Sequence, residues 1–127
     1  MEDSDPPFKA LAVLGTGMIG AAIGLASRAA GCRVAGWDPD REAATTALAR
    51  GALGGVSETL EDAIVGVDLV VVCAPPAYVD AVLADVLARV PEHVVVTDVT
   101  SVKEPIARRA ERHPNLIPGH PMAGGER

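Results

Sequence analysis

Residues 9–20, KALAVLGTGMIG, constrain this chain more than any other stretch. An apolar run meets three glycines, Gly15, Gly17 and Gly20, spaced G-x-G-x-x-G, and a helix-forming stretch follows. The run fits a buried strand, and the glycines fit a tight strand-to-helix turn. Each glycine meets a separate need. Gly15 permits the turn, Gly17 leaves the main chain uncovered, and Gly20 lets the helix lie close on the strand. Such a turn aims backbone N–H groups at the positive end of a helix, which suits a pyrophosphate. The spacing alone recurs by chance in a chain with 13 glycines. The strand before it, the helix after it and an acidic residue downstream give it weight.

The remaining sequence repeats the strand-then-helix rhythm. Strands are expected over 10–14, 33–37, 52–56, 68–73, 93–98 and 115–117, and helices over 18–30, 40–50, 57–65, 77–90 and 101–112. Ala74, Pro75 and Pro76 are expected to end the fourth strand. In the helix after it, Val79, Val82, Leu83, Val86, Leu87 and Val90 form one apolar stripe, the mark of a helix packed on a sheet. Residues 1–8 are expected to be a disordered tail, and residues 9–127 a single dinucleotide-binding domain. Alternating elements call for a parallel sheet with right-handed crossovers. With the glycine turn after the first strand, the fold class is α/β, a doubly wound parallel sheet of the Rossmann dinucleotide-binding type.

Composition agrees and excludes other classes. Phe8, Trp37 and Tyr78 are the only aromatics, so the core is built from Val, Leu, Ile and Ala, as in a sheet covered on both faces. The formal net charge is −6. With no basic stripe and no stacking platform, nucleic acid is not an expected partner. No apolar stretch reaches the ~18 residues of a membrane span, and no membrane partner is expected. The acidic, proline-bearing start is not expected to be a signal peptide. Cys32 and Cys73 have no metal-ligand spacing, so no metal is expected and a reducing cytoplasm fits.

In such sheets ligands bind beyond the carboxyl ends of the strands. Five places in this sequence converge there: residues 15–20, Asp38, residues 73–76, residues 98–103, and Gly119 with His120. Met18 and Ile19 in the first, and Cys73, Ala74 and Pro75 in the third, join the glycines as expected cofactor contacts. Asp38 stands roughly 20 residues after the glycine turn, where a carboxylate accepts hydrogen bonds from the adenosine ribose. It repels a 2′-phosphate, so NAD is expected over NADP, with Arg41 a mild counterweight. An ordinary turn role in D-P-D is the alternative. Ser101 and Glu104 form a capping box, S-x-x-E, compatible with a hydroxyl facing the ligand edge. His93 and His113 are expected at the surface. His120, between Gly119 and Pro121, is suited to polarise or deprotonate a hydroxyl near the nicotinamide; a structural or merely exposed role fits its spacing equally. Cys73 follows three valines and is expected to be an inert strand residue.

Residues 119–126 read GHPMAGGE and residues 97–103 read TDVTSVK. Together with GTGMIG and GWD, they resemble the N-terminal NAD-binding domain of prephenate dehydrogenases and their arogenate-using relatives, enzymes of tyrosine biosynthesis. The resemblance covers nearly the whole chain. Thr100 departs from it, being bulkier than the small residue usual before the serine. The resemblance implies NAD-dependent oxidative decarboxylation of a small-molecule substrate. In it, His120 matches the catalytic histidine on the ring 4-hydroxyl. Ser101 matches a serine that helps orient that histidine and lies near the nicotinamide, an expected contact of both cofactor and substrate, and Glu126 matches an acidic residue affecting substrate entry. It further implies a second, helical domain, absent from this chain, that makes a homodimer and supplies basic groups for the substrate carboxylates. Within this chain few basic groups are placed for that beyond Lys103 and the helix N-termini. Two other readings stand beside this one. One is a related NAD-dependent hydroxy-acid dehydrogenase. The other is an NAD-binding module or fragment without catalysis of its own.

Overall fold

The computed structural model describes residues 7–99 and 104–119. In chain order the elements are β1 (Ala10–Leu14), α1 (Met18–Ala29), β2 (Arg33–Trp37), α2 (Arg41–Ala49), β3 (Gly55–Val56), α3 (Leu60–Ala63), β4 (Leu69–Val72), α4 (Pro76–Arg89), β5 (Val95–Asp98), α5 (Glu104–Ala110) and β6 (Leu116–Ile117). The strands form one six-stranded sheet in the order β3-β2-β1-β4-β5-β6. Every neighbouring pair is parallel. This is the doubly wound Rossmann order, whose switch point lies between β1 and β4.

The central strands are apolar because both their faces are covered. All five residues of β1 are buried. They alternate between two cores, as a strand's period of two requires. Ala10, Ala12 and Leu14 join Val70, Val72, Leu83, Val86 and Ile106 beneath α3, α4 and α5. Leu11 and Val13 join Val34, Ala47, Leu53 and Val71 on the face covered by α1 and α2. On that second face close packing comes from small residues: a Cβ at Gly24 of α1 would fall on the Ala52 carbonyl.

Several boundaries differ from the sequence expectations, each for a local reason. The third strand shrinks from residues 52–56 to Gly55–Val56, because the Ala52 N–H turns back to the Ala47 carbonyl at the end of α2. Pro76 does not belong to the strand terminator; it opens α4 as its first residue, where its fixed φ and missing N–H cost nothing. The fifth strand starts at Val95, because the Val94 N–H bonds the Pro91 carbonyl in a turn. The helix expected over 57–65 is the single turn Leu60–Ala63, capped by Thr59 Oγ1 accepting from the Asp62 N–H at 3.1 Å. His93 is exposed, whereas His113 is half-buried in the turn closing α5, its N–H on the Ala110 carbonyl. Of the expected tail, residues 1–6 lie outside the described residues, while Phe8 is half-buried and its carbonyl accepts the Cys32 thiol at 3.1 Å.

Candidate nucleotide site at the carboxyl edge

The site begins where β1 ends. Gly15 has φ +103°, and a Cβ there would meet the Cys73 carbonyl oxygen at 2.7 Å. Its N–H donates to the Trp37 carbonyl at 2.8 Å. The turn is therefore fixed between the ends of β2 and β4, and conformation and space both require glycine. Gly20 lies beneath the turn, where a Cβ would fall on the Gly15 carbonyl. Gly17 is the opposite case: among the described residues nothing lies within 4 Å of the Cβ it lacks. No internal contact demands a glycine there, but an approaching ligand would.

Gly17 is also the N-cap of α1, with no side-chain cap and no acid in the first turn. α2 and α3 differ, each having a side-chain cap and acids in the first turn. The positive end of α1 is thus left open to an anion from outside the protein.

Asp38 follows β2 and is held by the turn itself. Its Oδ2 accepts from the Thr16 N–H at 2.7 Å and from Thr16 Oγ1 at 3.0 Å. Its Oδ1 accepts from the Asp40 N–H at 2.9 Å. A carboxylate offers roughly four acceptor positions, so among the described residues three are used and one, on Oδ1, is left. Thr16 is buried, at 5% exposure. Sequence reasoning passed over it; its signal was a hydroxyl residue between the two glycines nearest an expected carboxylate.

A cavity of about 620 Å³ opens between these loops and the start of α4, within the size range of small-molecule sites. Gly15, Gly17, Asp38, Cys73, Ala74 and Pro75, all expected site residues, line it. Leu14, Trp37, Pro39, Tyr78 and Val82 complete its wall. None of these is expected in the site from the sequence, where Val82 stands only as part of a core-facing stripe, and Trp37 and Tyr78 only as rare aromatics. Met18 does not line this cavity. Its side chain is 89% exposed and borders the adjoining shallow cleft between α1 and α2. Ile19 is exposed on α1. Cys73 is half-buried just after β4; burial, then the charge of Asp98, pushes its thiol up to about 12, which disfavours the thiolate. Ser101, Lys103, His120 and Glu126 lie outside the described residues. Among the described residues no group of His, Cys, Asp and Glu could hold a metal ion, and no helix is long and apolar enough to cross a membrane.

Residues 23–127 match the family described as prephenate dehydrogenase, nucleotide-binding domain. The chain belongs to this family. The match starts after the glycine turn, so Gly15 and Thr16 lie outside it and Asp38 within it. A cyclohexadienyl dehydrogenase of Zymomonas mobilis is 29% identical over 124 residues, covering 94% of this chain and 42% of that protein. The crystal structure of Synechocystis arogenate dehydrogenase superposes with a TM-score of 0.82 at 26% identity, over 93% of this chain and 42% of that one. Prephenate dehydrogenase from A. aeolicus, crystallised with hydroxyphenyl propionate and NAD+, gives a TM-score of 0.80 at 23% identity, over 94% of this chain and 43% of that one. At that identity it speaks for the fold alone. The chain thus spans less than half the length of the relatives it matches.

Proposed function

We propose that this chain is the cofactor-holding part of an NAD-dependent dehydrogenase that oxidatively decarboxylates prephenate or arogenate in the making of tyrosine. The observation that carries the reading is the Thr16–Asp38 contact. In a chain of this family it holds a carboxylate beside an uncapped helix N-terminus. The residues present fit the cofactor. The open Gly17 end of α1 suits the pyrophosphate. The remaining acceptor position of Asp38 suits a ribose hydroxyl. The apolar wall of Trp37, Pro75 and Tyr78 suits the adenine ring. A 2′-phosphate would meet the Asp38 charge, and Arg41, the nearest cation in sequence, is engaged with Glu58 at 3.4 Å; NAD is favoured over NADP.

When bound, NAD+ supplies the hydride acceptor. His120 is assigned the proton of the ring hydroxyl, for which an imidazole near neutrality is suited. His120 would take that proton as the C4 hydrogen leaves as hydride; the electron pair left by the departing CO2 makes the ring aromatic, and the phenolate oxygen recovers the proton from His120. Ser101 orients His120, and Glu126 acts on substrate entry.

The test mixes the full-length protein with NAD+ and prephenate, then arogenate, and follows NADH absorbance. NADH forms with at least one substrate and disappears in His120→Asn, while NAD+ binding persists in both proteins. NAD+ binding without turnover on either substrate would favour the non-catalytic module instead. Turnover unchanged in His120→Asn would remove the histidine's assigned role.

A further inference from the structure

The last two residues of β5 hold the main chain at and just after the end of β6, and the site described above makes no use of them. Asp98 is a carboxylate with 0% exposure, yet it stands at the open end of the sheet. Its Oδ1 accepts the Gly119 N–H at 3.1 Å. Its neighbour Thr97 donates through Oγ1 to the Ile117 carbonyl at 2.6 Å. β6 pairs with β5 only through Val96 with Leu116 and Thr97 with Ile117. The Thr97 bond reinforces the last rung of the ladder, and the Asp98 bond carries the attachment past it. The main chain also lies tight at that point. A Cβ on Gly119 would fall on the Asp98 carbonyl, and within 2.8 Å of Thr97 Oγ1. A buried carboxylate is costly to keep, and an apolar residue often serves stability as well or better. Geometry is the stronger reason for one here. Asp98 also pairs in register with Val72, the last residue of β4 and the one before Cys73, so it stands at the site's edge.

We propose that Thr97 and Asp98 are positioning residues for the active-site loop: they fix where the chain enters it at Gly119, and thereby where His120 meets the substrate hydroxyl. The inference rests on the dehydrogenase reading above. Catalysis is sensitive to such placement, since a displacement of about 1 Å costs on the order of 100-fold in rate.

The experiment compares full-length wild type with Thr97→Val, Gly119→Ala, Asp98→Ala and Asp98→Asn. It measures kcat, the KM for substrate, NAD+ affinity and the thermal midpoint. Gly119→Ala and Asp98→Ala are expected to lower kcat by about 10- to 100-fold per folded molecule, with NAD+ affinity within about twofold of wild type. Asp98→Asn, which keeps an acceptor for the Gly119 N–H, recovers at least about half of that loss on a logarithmic scale. Thr97→Val, which keeps the side chain's shape, lowers kcat by about 3- to 10-fold and covers the case in which Asp98→Ala does not fold. Wild-type kcat per folded molecule in Thr97→Val and Gly119→Ala, whatever happens to the thermal midpoint, overturns the proposal. Wild-type protein that binds NAD+ but yields no NADH from either substrate overturns the dehydrogenase reading itself, and the inference with it.

Discussion

Asp38 is oriented before any ligand arrives, and Thr16 does most of the orienting. Two of the three hydrogen bonds on the carboxylate come from that one residue. Removing the carboxylate, in Asp38→Ala, is expected to raise the Kd for NAD+ by about tenfold, the loss of one charge-assisted hydrogen bond. NADP+ affinity falls less or rises, because the repulsion of its 2′-phosphate goes too. Thr16→Val keeps the N–H and loses the hydroxyl, so its effect on NAD+ is smaller, about threefold. Trp37, the single tryptophan, lines the cavity, and its fluorescence titrated with each nucleotide reads both variants. Equal affinity of Asp38→Ala and wild type for NAD+ would contradict the assignment. At Cys73, a thiol near 12 leaves fewer than about one molecule in a thousand as thiolate at mildly alkaline pH. Alkylation in the folded protein is therefore expected to lag far behind alkylation in urea, as mass spectrometry of the modified peptide can show. The carboxylate was legible in the sequence, because an acid at that distance from a glycine turn has a known use. Its partner was not, since nothing local says that residue 16 folds back on residue 38.

At the scale of elements, α4 shows what a sequence pattern carries and where it stops. The stripe predicted a helix packed on the sheet, and Val79, Leu83, Val86 and Leu87 are indeed buried there. Val82 belongs to the same stripe by spacing, yet it is half-buried and lines the cavity. Periodicity gives the face of a helix; whether a given residue on it meets the core or a ligand depends on where the neighbouring loops end. The two residues therefore answer differently to truncation. Leu83, with 0% exposure, is expected to lose about 2–5 kcal/mol of stability as Leu83→Ala, through transfer and cavity terms together. Val82→Ala is expected to cost less than about 1.5 kcal/mol, because its cavity side is already open. It is also expected to weaken NAD+ by a few-fold. Urea unfolding and the Trp37 titration separate the two effects. A Val82→Ala protein destabilised as much as Leu83→Ala would place Val82 in the core after all.

Across the whole molecule, the sheet keeps its chemistry at one edge and a clamp at the other. The strand order was legible because strict alternation and a glycine turn after the first strand leave few other topologies. The clamp was not, because it joins residues far apart in sequence. Asp68, just before β4, accepts the Lys9 N–H on Oδ2 and the Ala10 N–H on Oδ1, each at 3.0 Å, at the start of β1. The Asp68 N–H in turn donates to the Ala10 carbonyl at 3.0 Å. Partial burial pushes the Asp68 carboxyl up, but the N–H groups of Lys9, Ala10 and Asp68 itself, with the charge of Arg33, bring it below its ordinary value. A carboxylate whose pKa is lower in the folded than in the unfolded chain stabilises the fold above its ordinary value, about 4. That contribution fades as the pH falls through the lowered folded value, where both states take up the proton. Asp68→Asn cannot ionise and lacks it at every pH. Its urea midpoint is therefore expected below that of wild type near neutrality, with the difference constant down to about pH 5 and shrinking below about pH 4. A difference that stays constant down to about pH 2 would mean that the clamp acts through shape, with no part played by its charge.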